Sequence, residues 1–401
     1  MNAKNVIFWI IFIIVIILIV LYIIYYKIKN KIINEMEDFL KKVGIIENKD
    51  IIFNTDKKKL LYDVFKGGNL AFGESYMKGN WDSPDIFNLF VKILENRSYN
   101  KYEYGSELFK NMTKNLSYGQ TSGLEMVNKH YNLGNDFFVK WLDKNMQYSC
   151  GYWNKPNMTL DEAQIAKMNL IGRKLKLRKG MDVLDIGSGW GTLSGYLSNT
   201  FGVNVVGISL SIEQIKYAKE KYGKNNPNIT FIYGDFGDIL NYGKKFDRVL
   251  SVGFYEHVGN DRYNEFFDIT NKVMKDDGIS LLHTIGSNNK NKGSDQWIKK
   301  YIFTRGVIPS FSGITSHAQA NDLVIEDVQN FGFDYYKTLM AWYNNFKRNC
   351  SDLKTKDPIF YRMWEYYLCT CCAAFYCREL FLWQIILTKK KCINKKYIGD
   401  R

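Results

Sequence analysis

The sequence predicts an α/β protein: a mostly parallel, Rossmann-like sheet with helices on both faces, plus a small N-terminal domain and one N-terminal transmembrane helix. Three observations predict it. The chain opens on a long uncharged apolar run, strands alternate with helical segments of ten to fifteen residues after Met181, and a glycine-rich turn follows the first of those strands. At roughly 100–200 residues per domain, 401 residues point to two or three domains. The 46% hydrophobic and 16% aromatic content can fill real cores, which excludes a disordered chain.

The apolar run extends from Val6 to Tyr26, 21 residues without a charge or a strong helix breaker. As a helix it would span ~31 Å, the hydrocarbon thickness of a bilayer. It exceeds the roughly 7–15 apolar residues of a signal peptide, and no small-residue cleavage site follows. Lys27, Lys29 and Lys31 follow it against Lys4 before it, so the positive-inside rule puts the body of the protein in the cytosol. The expectation is a single-pass membrane anchor over residues 1–30. The whole chain carries +14, from 55 Lys+Arg against 41 Asp+Glu, and calls for an anionic partner.

A small domain is expected over residues 31–120. It opens on the polar helical stretch Asn34–Val43, continues through the aromatic and glycine-rich segment Ile51–Asn96, and ends in a connection at Arg97–Ser122. The rest, 121–401, holds the alternating elements. Strands are predicted at MDVLDIG, VNVVGISL, NITFIYGD, FDRVLSV and GISLLHTI, with helices at TLSGYLSNTF, SIEQIKYAKEKYG (Ser211 as N-cap) and RYNEFFDITNKVMK. A further apolar helix is predicted over Met363–Leu387. The seven cysteines, six of them in the last fifth of the chain, suit a reducing compartment. The cluster Cys369, Cys371, Cys372 and Cys377 has no second Cys/His pair at ligand spacing, and no metal site is expected.

Open parallel sheets bind ligands at the carboxyl ends of their strands. There the segment Val183–Gly191 places glycines at 187, 189 and 191, where a missing Cβ allows a tight turn and a close ligand. The dinucleotide fingerprint is not met, because Thr192 stands at its third glycine and Val206–Leu210 has no carboxylate for a ribose. Asp185 precedes the turn instead, the arrangement of S-adenosylmethionine-dependent methyltransferases, so the fold expected is that of a class I methyltransferase. No two prolines are adjacent and no Pro-Cys occurs, which removes the loop of amino-methylating and the nucleophile of cytosine-methylating DNA enzymes. An anionic lipid surface explains the charge better than nucleic acid.

Tyr131–Asp136, Gln147–Trp153, Phe254–Gly259, Leu282–Ser287, Lys300–Phe303, Leu339–Tyr343 and Trp383-Gln384 resemble the cyclopropane-fatty-acyl-phospholipid synthases, of the cyclopropane and mycolic acid synthase type. The small domain joins in through Gly73–Met77 and Trp81. The likeness runs from about Asn34 to about Thr388, nearly everything except the anchor.

The resemblance implies methylene transfer from S-adenosylmethionine to the cis double bond of an unsaturated acyl chain in a membrane phospholipid, with bound bicarbonate taking the proton lost from the resulting carbocation. The bicarbonate ligands of the family match Cys150, Glu256, His283 and Tyr343, with the Ile285 backbone nearby. From the residues alone, Glu256 or His283 would itself be the base, each just after a strand, while His257 would orient neighbours. Cys371 matches a cysteine nominated as the family's active site, although alkene methylenation needs no thiolate and an apolar helical run suits a structural thiol. Cofactor contacts carry over to Tyr148 and Ser149, to Val183, Leu184, Asp185, Ile186, Gly187, Ser188, Gly189, Trp190 and Gly191, to Ser209, Leu210, Ser211, Ile212, Glu213 and Gln214, and to Asp235 and Phe236 on the adenine side. Ser188 stands where the family commonly has Cys, and the familiar bacterial enzymes lack the anchor. Two other readings stay open: methyl transfer giving branched acyl chains or an N-methylated amine, and a non-catalytic lipid-binding protein. The sequence also leaves open a homodimer.

Overall fold

The computed structural model describes residues 3–96, 134–289, 295–304, 306–392 and 397–400. The expected connection Arg97–Ser122, the boundary at residue 120, His130 and the first three residues of the Tyr131–Asp136 motif lie outside the described residues. The chain divides into two compact units, Met1–Tyr118 and Gly119–Arg401.

In the first unit, α1 (Ala3–Lys42) is one helix of 40 residues. Its apolar half is long and apolar enough to cross a membrane, and every side chain from Val6 to Tyr26 is exposed. The helix does not end with that run. Residues 27–42 contain no Gly or Pro, and Ile33 and Met36 continue one buried face into the small domain. The other described elements are α2 (Lys57–Met77), α3 (Ile86–Glu95) and a two-residue antiparallel pairing of β1 (Ile52–Phe53) with β2 (Trp81–Asp82). Asp56 caps α2 by accepting from the Lys58 and Lys59 N–H groups, and α2 is interrupted at Gly68, where φ is 56°. Trp81 is its buried centre: the ring stacks on Phe72 at 4.3 Å and the indole N–H donates to the Phe72 carbonyl at 3.1 Å. Trp81 and the Gly73–Met77 segment are thus one packing unit.

Among the described residues the second unit is built on seven strands in the order β5-β4-β3-β6-β7-β9-β8. These are β3 (Asp182–Ile186), β4 (Asn204–Ser209), β5 (Ile229–Tyr233), β6 (Phe246–Val252), β7 (Met274–Gly286), β8 (Leu323–Asn330) and β9 (Phe381–Lys389). The first five are parallel, and β9 is antiparallel to both β7 and β8. The expected helices follow their strands as α6 (Thr192–Phe201), α7 (Ile212–Ala218, capped by Ser211) and α8 (Tyr263–Val273). Before them come the short α4 (Asn135–Val139) and α5 (Leu160–Lys174), the latter opened by a Thr159/Glu162 capping box. Separate apolar clusters form the core, one holding Leu184, Ile186 and Phe267, another Val183, Leu197 and Leu281, and a smaller one Ile215, Ala218, Ile229 and Phe231. Alternate residues of β3 enter the first two, as a strand covered on both faces requires.

Two expectations change. The apolar run Met363–Leu387 is not one helix: after α9 (Gln296–Tyr301), α10 (Phe311–Ala320), α11 (Gly332–Asn349) and α12 (Leu353–Lys356), helix α13 (Pro358–Tyr376) stops and Phe381–Lys389 is strand β9. Strand β9 pairs between β7 and β8, which buries its apolar residues Leu382 to Leu387 on both faces of the sheet. His283 also lies within β7 rather than after it, opposite Val252 and Gln384.

Candidate active site

Beyond the carboxyl ends of β3 to β6 lies a cleft of about 790 Å³. Its floor is the turn after β3. Gly187 takes φ of 85°, and a Cβ there would come within 2.5 Å of Phe254. At Gly189 (φ 53°) a Cβ would meet no atom within 4 Å, so bare backbone faces open cleft. Asp185, at the end of β3, is buried, accepts a 2.7 Å hydrogen bond from Ser194, and is pushed up to about 6 by burial. The Ser188 hydroxyl is buried without a protein partner. Trp190 is fixed by donating to Asn135 Oδ1 at 2.8 Å, which ties the described end of the Tyr131–Asp136 motif to the glycine turn.

Of the expected cofactor residues, Tyr148, Ser149, Asp185, Gly187, Ser188, Gly189, Trp190, Ser209, Leu210, Ser211, Gln214, Asp235 and Phe236 line the cleft. Val183, Leu184 and Ile186 are instead buried in the sheet, Gly191 starts α6, and Ile212 and Glu213 are exposed on α7 outside the cleft. Asp235 is already engaged: Arg262 grips both its oxygens, at 2.7 and 2.9 Å, and holds Glu265 at the same two distances. The guanidinium lies 4.3 Å above the Phe236 ring and lines the cleft. The open backbone at Gly189, the unpartnered Ser188 hydroxyl and the polar far wall fit S-adenosylmethionine.

Glu256 sits behind the cleft in a short turn after β6 and is buried. Its Oε1 accepts the Ile285 N–H at 2.5 Å, while Oε2 has no protein partner. Burial pushes its carboxyl up to about 7, against the pull of that backbone bond. His283 and Ile285 are two apart on β7 and share a face. The His283 Nδ1 lies 3.2 Å from Gln384 Nε2, and Nε2 is buried without a partner. Burial, with the Lys167 and Lys174 cations, lowers its pKa and keeps the ring neutral. Cys150 is buried, its thiol donating to the Gly151 carbonyl at 3.1 Å and held protonated by burial. His257 is different: it lines the cleft, its ring 5.4 Å from Phe303, and burial lowers it to about 4.

Tyr343 is not brought to this group. Its hydroxyl donates to Glu365 at 3.1 Å, beside Cys369. The tyrosine within electrostatic reach of Cys150 and Glu256 is Tyr335, fully enclosed and raised far above the ordinary phenol range by burial and by those neighbours. Sequence reading missed it: Tyr335, Tyr336 and Tyr343 share one helix, and the choice depends on how that helix is rotated. Lys167 was also missed. It is a buried cation donating to Gln147 at 2.5 Å and to Ser149 at 2.8 Å, and nothing in the pattern of α5 marks it apart from a surface lysine. Arg262 gave no signal either, standing 27 residues from its partner. Cys371 lies on α13 near Tyr335 and Tyr367, and its thiol is pushed up to about 12 by burial.

A family model described as mycolic acid cyclopropane synthetase matches residues 119–385. The chain belongs to this family. Its relatives include the cyclopropane-fatty-acyl-phospholipid synthase of Escherichia coli, 39% identical over 337 residues, which cover 81% of this chain and 85% of that protein. Among solved structures, the cyclopropane synthase MmaA2 from Mycobacterium tuberculosis matches with a TM-score of 0.62 and 29% identity, over 68% of this chain and all of that one. The mycolic acid cyclopropane synthase CmaA1, complexed with SAH and CTAB, matches with a TM-score of 0.62 and 30% identity, over 67% of this chain and 99% of that one. The protein is therefore an S-adenosylmethionine-dependent methyltransferase of the cyclopropane synthase type, with a class I methyltransferase fold.

Proposed function

We propose that the protein transfers a methylene unit from S-adenosylmethionine to the cis double bond of an unsaturated acyl chain in a phospholipid, forming a cyclopropane ring. The observation that carries this reading is the pair Glu256 Oε2 and His283 Nε2, two buried polar atoms without a protein partner behind a nucleoside-sized cleft. Such atoms are costly to bury unless a ligand pairs with them. The names of the relatives supply the substrate class.

Bound S-adenosylmethionine supplies an electrophilic sulfonium methyl, and bound bicarbonate a base for the proton lost as the ring closes. The chain's own residues do the rest. A Glu256 carboxyl near 7 is about half neutral at pH 7 and largely so below it, and the neutral form donates a hydrogen bond to an anion where a carboxylate would repel it. Ile285 fixes one oxygen of that carboxyl, so Oε2 has a defined direction. With the Gln384 amide donating to Nδ1, the neutral His283 ring carries its proton on Nε2 and offers a second donor. Cys150 and Tyr335 complete the cluster, in place of the expected Tyr343. Tyr148 bonds to the Tyr367 hydroxyl at 2.9 Å, and Phe303 lies 5.9 Å from the Tyr367 ring. These aromatic faces exclude water that would trap a carbocation and tolerate its charge.

The working division is an anchor over residues 1–30, a lipid-docking domain over 31–120 and the catalytic domain over 121–401. In this reading α1 crosses the membrane once, with Lys27, Lys29 and Lys31 on the cytosolic side. The test is mass spectrometry of lipids from cells expressing the chain and fed methyl-deuterated methionine. Ring closure leaves two of the three deuteriums in the acyl chain. Retention of all three would mean a methyl branch, and label confined to a small amine would mean N-methylation; either sinks the proposal.

A further inference from the structure

We propose that the junction of α1 and α2 is a binding site for the headgroup of an anionic phospholipid. The proposal rests on the reading that α1 spans the membrane. Tyr25 and Lys29 are four apart on α1, and Tyr62 and Lys66 are four apart on α2, so each pair shares one helix face. The two faces meet. The Tyr25 and Tyr62 rings pack edge to face at 6.4 Å, Lys29 Nζ lies 5.2 Å from the Tyr62 ring centre, and Lys66 Nζ lies 4.6 Å from it.

The register decides what this cluster faces. Tyr25 and Tyr26 close the uncharged run and Lys27 follows at once, so a spanning α1 puts the cluster at the headgroup layer, where tyrosine rings and lysine termini are both stable. Two ammonium groups around one ring stand no more than about 10 Å apart, within a Debye length at ordinary salt, and repel each other. Asp63 offsets one of them, lying 3.3 Å from Lys66. Among the described residues no carboxylate is in ion-pair range of Lys29. A phosphodiester between the two lysines relieves the repulsion, and a zwitterionic lipid does so less well because its own cation competes.

The test uses the full chain in detergent, titrated with short-chain phosphatidylglycerol or phosphatidylcholine, with bound lipid counted by native mass spectrometry. Wild type should retain phosphatidylglycerol preferentially. The preference should fall by about fivefold for each of Lys29→Ala and Lys66→Ala. The paired variant Lys27→Ala/Lys31→Ala, with lysines that do not contact Tyr62, should keep it. Equal retention of both lipids by wild type, or equal loss in the control pair, would overturn the site. Alkaline carbonate extraction of membranes tests the anchor separately: release of the chain would remove the membrane reading and this site with it, whereas retention without lipid preference would remove the site alone.

Discussion

The cofactor cleft and the Glu256–His283 cluster are neighbours in the second unit, built on opposite terms. The cleft opens to solvent and its lining mixes polar and apolar surface, and much of it comes from short contiguous segments that follow β3, β4 and β5. The cluster is enclosed. Its members come from the loop before α5, the turn after β6, the middle of β7 and the start of α11. Backbone conformation makes the cleft, and only the closing of the fold makes the cluster. Binding and chemistry should therefore fail separately, and each variant below asks whether they do.

The largest effect is expected from Glu256→Ala. This change leaves the Ile285 N–H without its acceptor and removes the donor facing the anion, and turnover should fall by about 10³-fold, whereas Glu256→Gln, whose amide keeps both an acceptor and a donor, should recover part of it. Binding of S-adenosylhomocysteine, measured by calorimetry, should stay within about threefold of wild type. Parallel loss of binding and turnover would mean that cleft and cluster are not separable.

Next come the two tyrosines. Tyr335→Phe should lower kcat by about 10²-fold, while Tyr343→Phe, which loses bonds to Glu365 and Cys369 away from the cluster, should stay within about threefold. The reverse order would restore the assignment made from the sequence. These positions show where sequence reading reached its limit. Tyr335 and Tyr343 are eight residues apart, about 80° around a helix, and an unaligned chain does not reveal that rotation. By contrast β3 to β7 were legible, because strands buried on both faces read as apolar runs and the helices between them are periodic. Strand β9 was not, since the turn Cys377–Leu380 between α13 and β9 has neither Gly nor Pro and the apolar run reads straight through it. The place of the glycine turn was legible, although Val183, Leu184, Ile186 and Gly191 of the expected loop do not line the cleft. Its far wall was less so, since Asp235 meets Arg262 only once α8 has packed.

Arg262 sharpens the comparison from the side of the cleft. Arg262→Ala frees Asp235 and uncovers Phe236 without touching the cluster. The KM for S-adenosylmethionine should rise by about tenfold, the size of a charge-assisted hydrogen bond, with kcat and lipid KM unchanged. Arg262→Lys should recover only part, because an ammonium does not make the paired grip on a carboxylate. A fall in kcat at saturating cofactor would show that the far wall reaches the chemistry.

The smallest effect is expected at Cys371, which belongs to neither region. A thiol held near 12 has on the order of one thiolate in 10⁴ at pH 8, too little for a nucleophile. Cys371→Ser should keep turnover within about threefold. Alkylation of Cys371 by iodoacetamide should be slow at pH 7 and rise about tenfold per pH unit to the limit of the fold's stability, because the thiolate fraction rises while pH stays below the pKa. Rapid labelling at pH 7 that is blocked by substrate lipid would place a reactive thiolate beside the acyl chain. Cys371 would then join the cluster, and the line between binding and chemistry would have to be redrawn through α13.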